Sequence, residues 1–259
     1  MAPWLPLRLT ALIILLLVTL PAQGNWRNVE AVKTVIGDTE PETSGLSLDL
    51  PSVSEDGSNI AMTVSFDGEL AEDAVLESIR VFAPGNPSPE VIAFHLTDAI
   101  TRPDFRTRIR LAESQTVYAT ARSSDGRTWV TSREVRVTVS GCLMDNDQGR
   151  EIRMANPRVA LGDGARKGQP LAIRTMINHP METGLRDGED DPGIPEQLVE
   201  SLQITQNGNT LFNVRFHSGT SENPYVMFHL TPRESGPLTI RWQDQQGDEV
   251  SIEESLSLR

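Results

Sequence analysis

The sequence predicts an all-β protein built as two sandwiches in tandem, and three observations lead there. Apolar residues recur at every second position in many short runs, the period of a strand buried on one face. Turn signals such as Asp56-Gly57, Asp125-Gly126 and Asn207-Gly208 separate these runs at regular spacing. The composition holds 19 glycines and 17 prolines but only 5% aromatic residues, which suits short strands joined by turns. At 259 residues the chain is long enough for two domains with ample core.

Residues 1–24 read as a cleaved signal peptide. Arg8 supplies the positive region, and Leu9 to Leu20 is an apolar stretch too short to span a bilayer comfortably. Pro21-Ala22-Gln23-Gly24 then offers small residues for cleavage, with Asn25 as the mature N-terminus. No other long apolar run follows. The expected product is exported and periplasmic, with no stable membrane insertion after cleavage.

Residues 25–142 form the first predicted domain. Asn25 to Ser44 fits either a brief amphipathic helix over Trp26 to Lys33 or a loose leader. Leu46, Leu48 and Leu50 alternate up to Pro51, and Ile60, Met62, Val64 and Phe66 alternate up to Asp67-Gly68. Glu77 to Phe82 is a strand ended by the Pro84 to Pro89 cluster, and Val91 to Leu96 and Thr107 to Leu111 are further strands. Val117, Ala119 and Ala121 run into the hairpin signal Ser124-Asp125-Gly126, and Val135, Val137 and Val139 form the last strand. About seven short strands with regular turns describe an immunoglobulin-like sandwich.

A polar linker over residues 143–156, closed by Pro157, separates the second predicted domain, residues 157–259. Pro157 to Leu161 and Leu171 to Ile177 read as two strands, followed by the loop Asn178 to Gly184 and the Asp- and Gly-rich excursion Leu185 to Pro195. Leu202 and Ile204 enter the Asn207-Gly208 hairpin, and Phe212, Val214 and Phe216 leave it. Val226, Phe228 and Leu230, then Leu238, Ile240 and Trp242, then Val250 and Ile252, complete a second sandwich.

The formal charge of -13 argues against a nucleic-acid partner, since phosphates need a basic surface. Arg102, Arg106, Arg108 and Arg110, with Asp98 and Asp104, read as a solvated strand edge. His95, between Phe94 and Leu96, reads as a half-buried histidine with a satisfied ring nitrogen. His179 with Glu182, and His217 with Glu222, show no third ligand at metal spacing, so no metal is expected, and an enzyme with a metal on His179 or His217 is the weakest of three readings; no other cofactor is expected. Ser218 and Ser221 stand outside any nucleophile-elbow pattern, and no catalytic residue is expected.

Cys142 is the only cysteine. In the strand's phase it follows Ser140 on the polar side, after Gly141 and before a polar run. Free cysteine is often a small buried hydrophobe, and that reading stands beside the functional one. In an oxidising compartment a lone thiol is buried, joined to another molecule, or functional. Asp145 and Asp147 nearby in sequence work against a thiolate, which suits a sulfur acted upon by partners rather than a catalytic nucleophile.

The second half resembles SoxZ of the bacterial thiosulfate-oxidising system through Ile177-Asn178-His179-Pro180-Met181-Glu182-Thr183-Gly184, Ile194-Pro195, Phe212 to His217 and Asn223-Pro224-Tyr225. The first half resembles SoxY through Ala83 to Pro89, Arg106 to Leu111, Asp125-Gly126 and Val135 to Cys142. The chain thus looks like a fusion of the two carrier subunits. The resemblance implies a carrier rather than an enzyme, holding a thiosulfate-derived or related sulfur intermediate covalently on Cys142, with Ser140 and Gly141 giving the arm its freedom. It also implies that His179, Pro180, Met181, Glu182, Asn223 and Tyr225 form a partner or interdomain surface. SoxY characteristically ends Gly-Gly-Cys-Gly-Gly, whereas here Ser140 and Leu143-Met144 replace three of those glycines and the cysteine is internal. That departure favours the fused group associated with quinoprotein alcohol dehydrogenases. The implied partners are periplasmic redox enzymes, Sox-type cytochromes or a quinoprotein dehydrogenase. The rival reading is a non-catalytic accessory or chaperone module of a PQQ alcohol dehydrogenase system, with Cys142 structural.

Overall fold

The structure is a computed structural model that describes residues 25–139, 152–185 and 195–259. The predicted signal peptide, Ser140, Gly141, Cys142, most of the linker and most of the Asp- and Gly-rich excursion lie outside the described residues.

The open choice at the N-terminus resolves as a helix. A 3-10 turn over Trp26–Asn28 leads into α1, Glu30–Ile36, which buries Val32 and Ile36. They pack on Phe82, Tyr118 and Val130, forming a small apolar cluster apart from the main core.

The first half then gives β1 Leu46–Asp49, β2 Val53–Ser54, β3 Ile60–Phe66, β4 Leu76–Phe82, β5 Glu90–Leu96, β6 Asp104–Ile109, β7 Gln115–Ser123 and β8 Thr128–Val137. The second gives β9 Ala155–Leu161, β10 Leu171–Asn178, β11 Val199–Gln206, β12 Asn209–Phe216, β13 Tyr225–Leu230, β14 Gly236–Asp244 and β15 Glu249–Leu256. The protein is nearly all β, with two immunoglobulin-like halves. Among the described residues no helix is long and apolar enough to cross a membrane.

Asn207 and Gly208 make the β11–β12 turn with φ of 52° and 78°, the paired left-handed conformation of a type I′ hairpin. Alternation also places the core as the sequence says: Ile60, Met62 and Val64 on β3 and Phe212 and Val214 on β12 are all at most 2% exposed.

The halves are not separate sandwiches. One sheet runs β1-β3-β6-β13-β10-β9 and the other β15-β14-β11-β12-β5-β4-β7-β8-β2, so both continue from one half into the other. In the larger sheet β12 pairs β5 antiparallel over five positions, from Phe212 opposite Leu96 to Phe216 opposite Ile92. In the smaller sheet β13 pairs β6 through Met227 opposite Arg106. A chain of rings crosses the seam: Phe94 stacks on Phe105 at 4.4 Å, Phe105 on Phe212 at 5.4 Å, and Phe212 tilts against Phe228 at 4.6 Å. Rings offset at such separations add about 1 kcal/mol each beyond the area they bury.

This arrangement corrects one expectation. β6 is an interior strand, flanked by β3 and β13, so its arginines do not line a free edge. His95 stands on the outer face of β5, where partial burial lowers its pKa.

Candidate functional site

At one end of the seam the sequence Asn178 to Gly184 turns away from β10. Pro180 keeps His179 extended and, having no N–H to donate, ends the strand ladder there. Met181 then adopts a left-handed backbone, φ 53°, at a cost of about 1 kcal/mol for a residue with a side chain. The surroundings hold it. Its N–H donates to Nδ1 of His179 at 3.0 Å, and its sulfur accepts from the Val199 N–H at 3.4 Å. Its carbonyl accepts from the Arg110 guanidinium at 2.9 Å.

Arg110 is the centre of the seam. It is 7% exposed, and its second terminal nitrogen donates to the Pro180 carbonyl at 2.9 Å. A planar guanidinium spans two adjacent carbonyls in a way an ammonium does not. Its own carbonyl accepts from Asn86 at 2.9 Å, and its N–H donates to Gly219 O at 2.7 Å. One residue of the first half therefore ties down two loops of the second.

Asn223 works from the other side. Its side-chain oxygen accepts from the His179 N–H at 3.1 Å, and its own N–H donates to His179 O at 2.8 Å. Its carbonyl accepts from Arg108 at 2.9 Å, and the Tyr225 carbonyl accepts from the Thr107 hydroxyl at 2.7 Å. Glu182, 5% exposed, accepts from Gly184 N at 2.9 Å and pairs through its backbone with Gln197. The six residues His179, Pro180, Met181, Glu182, Asn223 and Tyr225 thus lie together on the second half's side of the seam. Arg110, Arg108 and Thr107 meet their backbone from the first half. Sequence reading missed Arg110, because it shares the outward phase of Arg106 and Arg108 and β6 ends one residue before it.

Burial, aided by the positive charge of Arg110, pulls the His179 pKa down to about 4. The ring is neutral at ordinary pH, with Nδ1 as acceptor and the proton on Nε2. His217 sits elsewhere, its Nε2 3.8 Å from a Glu90 oxygen, and burial lowers its pKa as well. Among the described residues no three His, Cys, Asp or Glu side chains gather into a metal-binding group.

The described approach to Cys142 ends at Val139. Along β8 and beyond, Val135 is fully buried, Val137 is partly buried and Val139 is 65% exposed. The apolar alternation outlasts the core it points to. The Val139 carbonyl accepts from Gly57 N at 3.3 Å, the Gly57 carbonyl accepts from Leu111 N at 2.8 Å, and Ser58 O accepts from the Ser221 hydroxyl at 2.9 Å. These bonds put the exit of β8 at the same end of the seam as Arg110 and its loop. The chain returns through Ile152 into β9, whose Ala155 pairs with Asn178.

Comparison with known proteins finds two families. The family of the sulfur oxidation protein SoxY matches residues 32–142, and that of the sulphur oxidation protein SoxZ matches residues 159–255. Among solved structures, the sulfur carrier protein SoxY from Chlorobium limicola f thiosulfatophilum is 24% identical over 42% of this chain and 94% of its own, with a TM-score of 0.35. Red sea bream transglutaminase is 11% identical over 90% of this chain and 34% of its own, with a TM-score of 0.29. Neither superposition is close enough to inform the site. No curated protein matches the chain.

Proposed function

The chain is a fused SoxYZ-like protein, SoxY over residues 32–142 and SoxZ over residues 159–255, and from that premise we propose what its carrier site does. A carrier-type protein of sulfur oxidation needs one accessible attachment atom and a scaffold that presents it. Our reading is that Cys142 is that atom, in an exported, periplasmic protein, and that partner redox enzymes load and process the cargo. The observation that carries this is the end of the SoxY match on Cys142, the only cysteine of the chain.

For a thiosulfate-derived cargo the loading step joins the Cys142 sulfur to the outer sulfur of thiosulfate. The S–H proton goes to solvent, and two electrons pass to a redox centre of the partner enzyme. This chain contributes the thiol, its presentation and its docking surfaces. The strand before the thiol supports that role, since Val139 is already off the core. The seam supports it too. The clamp of Arg110 on Pro180 and Met181 makes a rigid base beside the point where the chain departs.

Ser140 and Leu143-Met144, in place of glycines, favour a partner with a wider entrance than a glycine-lined tunnel, and so a quinoprotein system. Intact mass of the protein purified from its host tests the reading. The expected result is an adduct on Cys142 that a thiol reductant removes and that Cys142→Ser lacks. A bare, fully titratable thiol under sulfur-oxidising growth, with a Cys142→Ser strain growing normally, would leave the accessory-module reading instead.

A further inference from the structure

The outer face of the six-stranded sheet crosses both halves and gathers several arginines. Registers align Asp49, Thr63, Arg106, Met227, Arg174 and Ala160 in one row from β1 to β9. The next row joins Tyr225, Met176 and Arg158, with Arg108 on β6 two residues beyond Arg106. Strands lie about 4.8 Å apart, so Arg106 and Arg174 stand about 10 Å apart across Met227. Arg106, Arg158 and Arg174 are exposed.

On the outer face of the nine-stranded sheet three arginines have carboxylates of their own, while the exposed Arg122 and Arg136 have none among the described residues. Arg80 pairs with Glu90 at 2.6 Å, Arg241 with Glu249 at 3.7 Å, and Arg215 with Glu200. On the six-stranded face Arg106, Arg158 and Arg174 pair with no carboxylate among the described residues; Arg102 and Asp104, 3.5 Å apart, mark its margin. In a protein of formal charge -13, Arg106, Arg108, Arg158 and Arg174 thus outnumber Asp49 and Asp104 on this face, around a buried Met227 and half-buried Met176 and Tyr225. Arginine, methionine and tyrosine are the residue types that protein interfaces enrich, while lysine, absent from these rows, is depleted there.

We infer that this face docks an acidic protein surface, that of the enzyme which visits Cys142. This rests on the carrier reading above. The molecule's overall charge repels an acidic partner from every other side, so the face fixes the partner's orientation as well as attracting it. The position fits. The row ending at Arg158 lies three residues from Ala155, where the chain that bears Cys142 re-enters the sheet beside Asn178. A partner resting here has its active site within reach of the segment between Val139 and Ile152.

The test uses the full mature chain and a labelled peptide of about ten glutamates as the acidic probe. Binding by fluorescence anisotropy should weaken with added salt and fall about tenfold or more in the Arg106→Glu/Arg174→Glu double variant. A control reversal on the other face, Arg215→Glu/Arg241→Glu, should leave it within about twofold. Absence of peptide binding, equal loss in the control, or binding to phosphatidylglycerol vesicles in preference to the peptide overturns the inference. In the host, the double variant should carry less Cys142 adduct than the natural chain at equal free-thiol reactivity before loading. Equal adduct on both overturns the docking role. No adduct on the natural chain overturns the carrier reading, while the peptide result still decides whether the face binds acidic surfaces.

Discussion

His179 shows how one side chain holds a strained loop and what that costs in acid. Its Nδ1 accepts the N–H of Met181, whose backbone is left-handed, so the ring must stay neutral to do its work. The unfolded imidazole takes a proton near pH 6.5, whereas the folded one refuses it until about 4. Between those values the unfolded chain binds more protons, so stability rises with pH across the window and is lost as pH falls through it. Urea unfolding at pH 7.5 and 5.5 should show His179 contributing a loss on the order of 1 kcal/mol. Both values lie above the pI of about 4.8. A His179→Asn variant keeps an acceptor for the Met181 N–H and should lose that share of the acid slope. His95, His217 and His229 shift the same way, so some slope persists. An unchanged slope in the variant would show that His179 is not the group refusing the proton.

At the scale of elements, the seam depends on β6 and the residue just past it. Replacing Arg110 with methionine keeps much of the volume but removes the donors on the Pro180 and Met181 carbonyls. A buried carbonyl left without a donor costs on the order of 1–3 kcal/mol, so Arg110→Met should destabilise by about 3 kcal/mol. Arg110→Lys, a point donor, should recover only part of that. Urea midpoints give the totals, and amide exchange at Met181 and Gly184 should rise more than exchange within β14. The sequence was legible up to this junction and not across it. Alternation identified the inward residues of β3, β12 and β14, and Asn207-Gly208 identified its hairpin, because both signals are local. Which strand edges stay open is not a local property. Glu90 to Leu96 names Ile92 and Phe94 as inward residues but carries no mark that β12 will pair beside them. Arg106, Arg108 and Arg110 read alike, yet two stand on a sheet face while the third turns into the seam once β6 has ended. The loop Asn178 to Gly184 was legible as a pattern. Its burial was not, since His179 and Glu182 are polar residues that the fold encloses at 2% and 5% exposure.

At the scale of the whole molecule, continuity of both sheets decides how it folds. The main core is a single cluster that includes Phe94 and Phe105 from the first half and Phe212 and Phe228 from the second. Without its partner, each half would expose two strand edges, β5 and β6 in one and β12 and β13 in the other, beside uncovered aromatic rings. Such edges recruit other strands, so an isolated half should aggregate or stay partly unfolded. The intact chain from residue 25 onward should instead melt in one transition, with calorimetric and van't Hoff enthalpies in agreement. Expressed as two polypeptides, residues 25–151 and 152–259, the halves should assemble one to one, since the covalent link supplies proximity and the seam supplies the binding. Phe212→Ala removes the ring that joins both sides of the stack and should destabilise the intact chain by about 3–5 kcal/mol. In the split form the same substitution should show as weakened association, read by light scattering. Two independent melting transitions in the intact chain, or a split pair that elutes as two stable monomers, would mean that the shared sheets do not couple the halves.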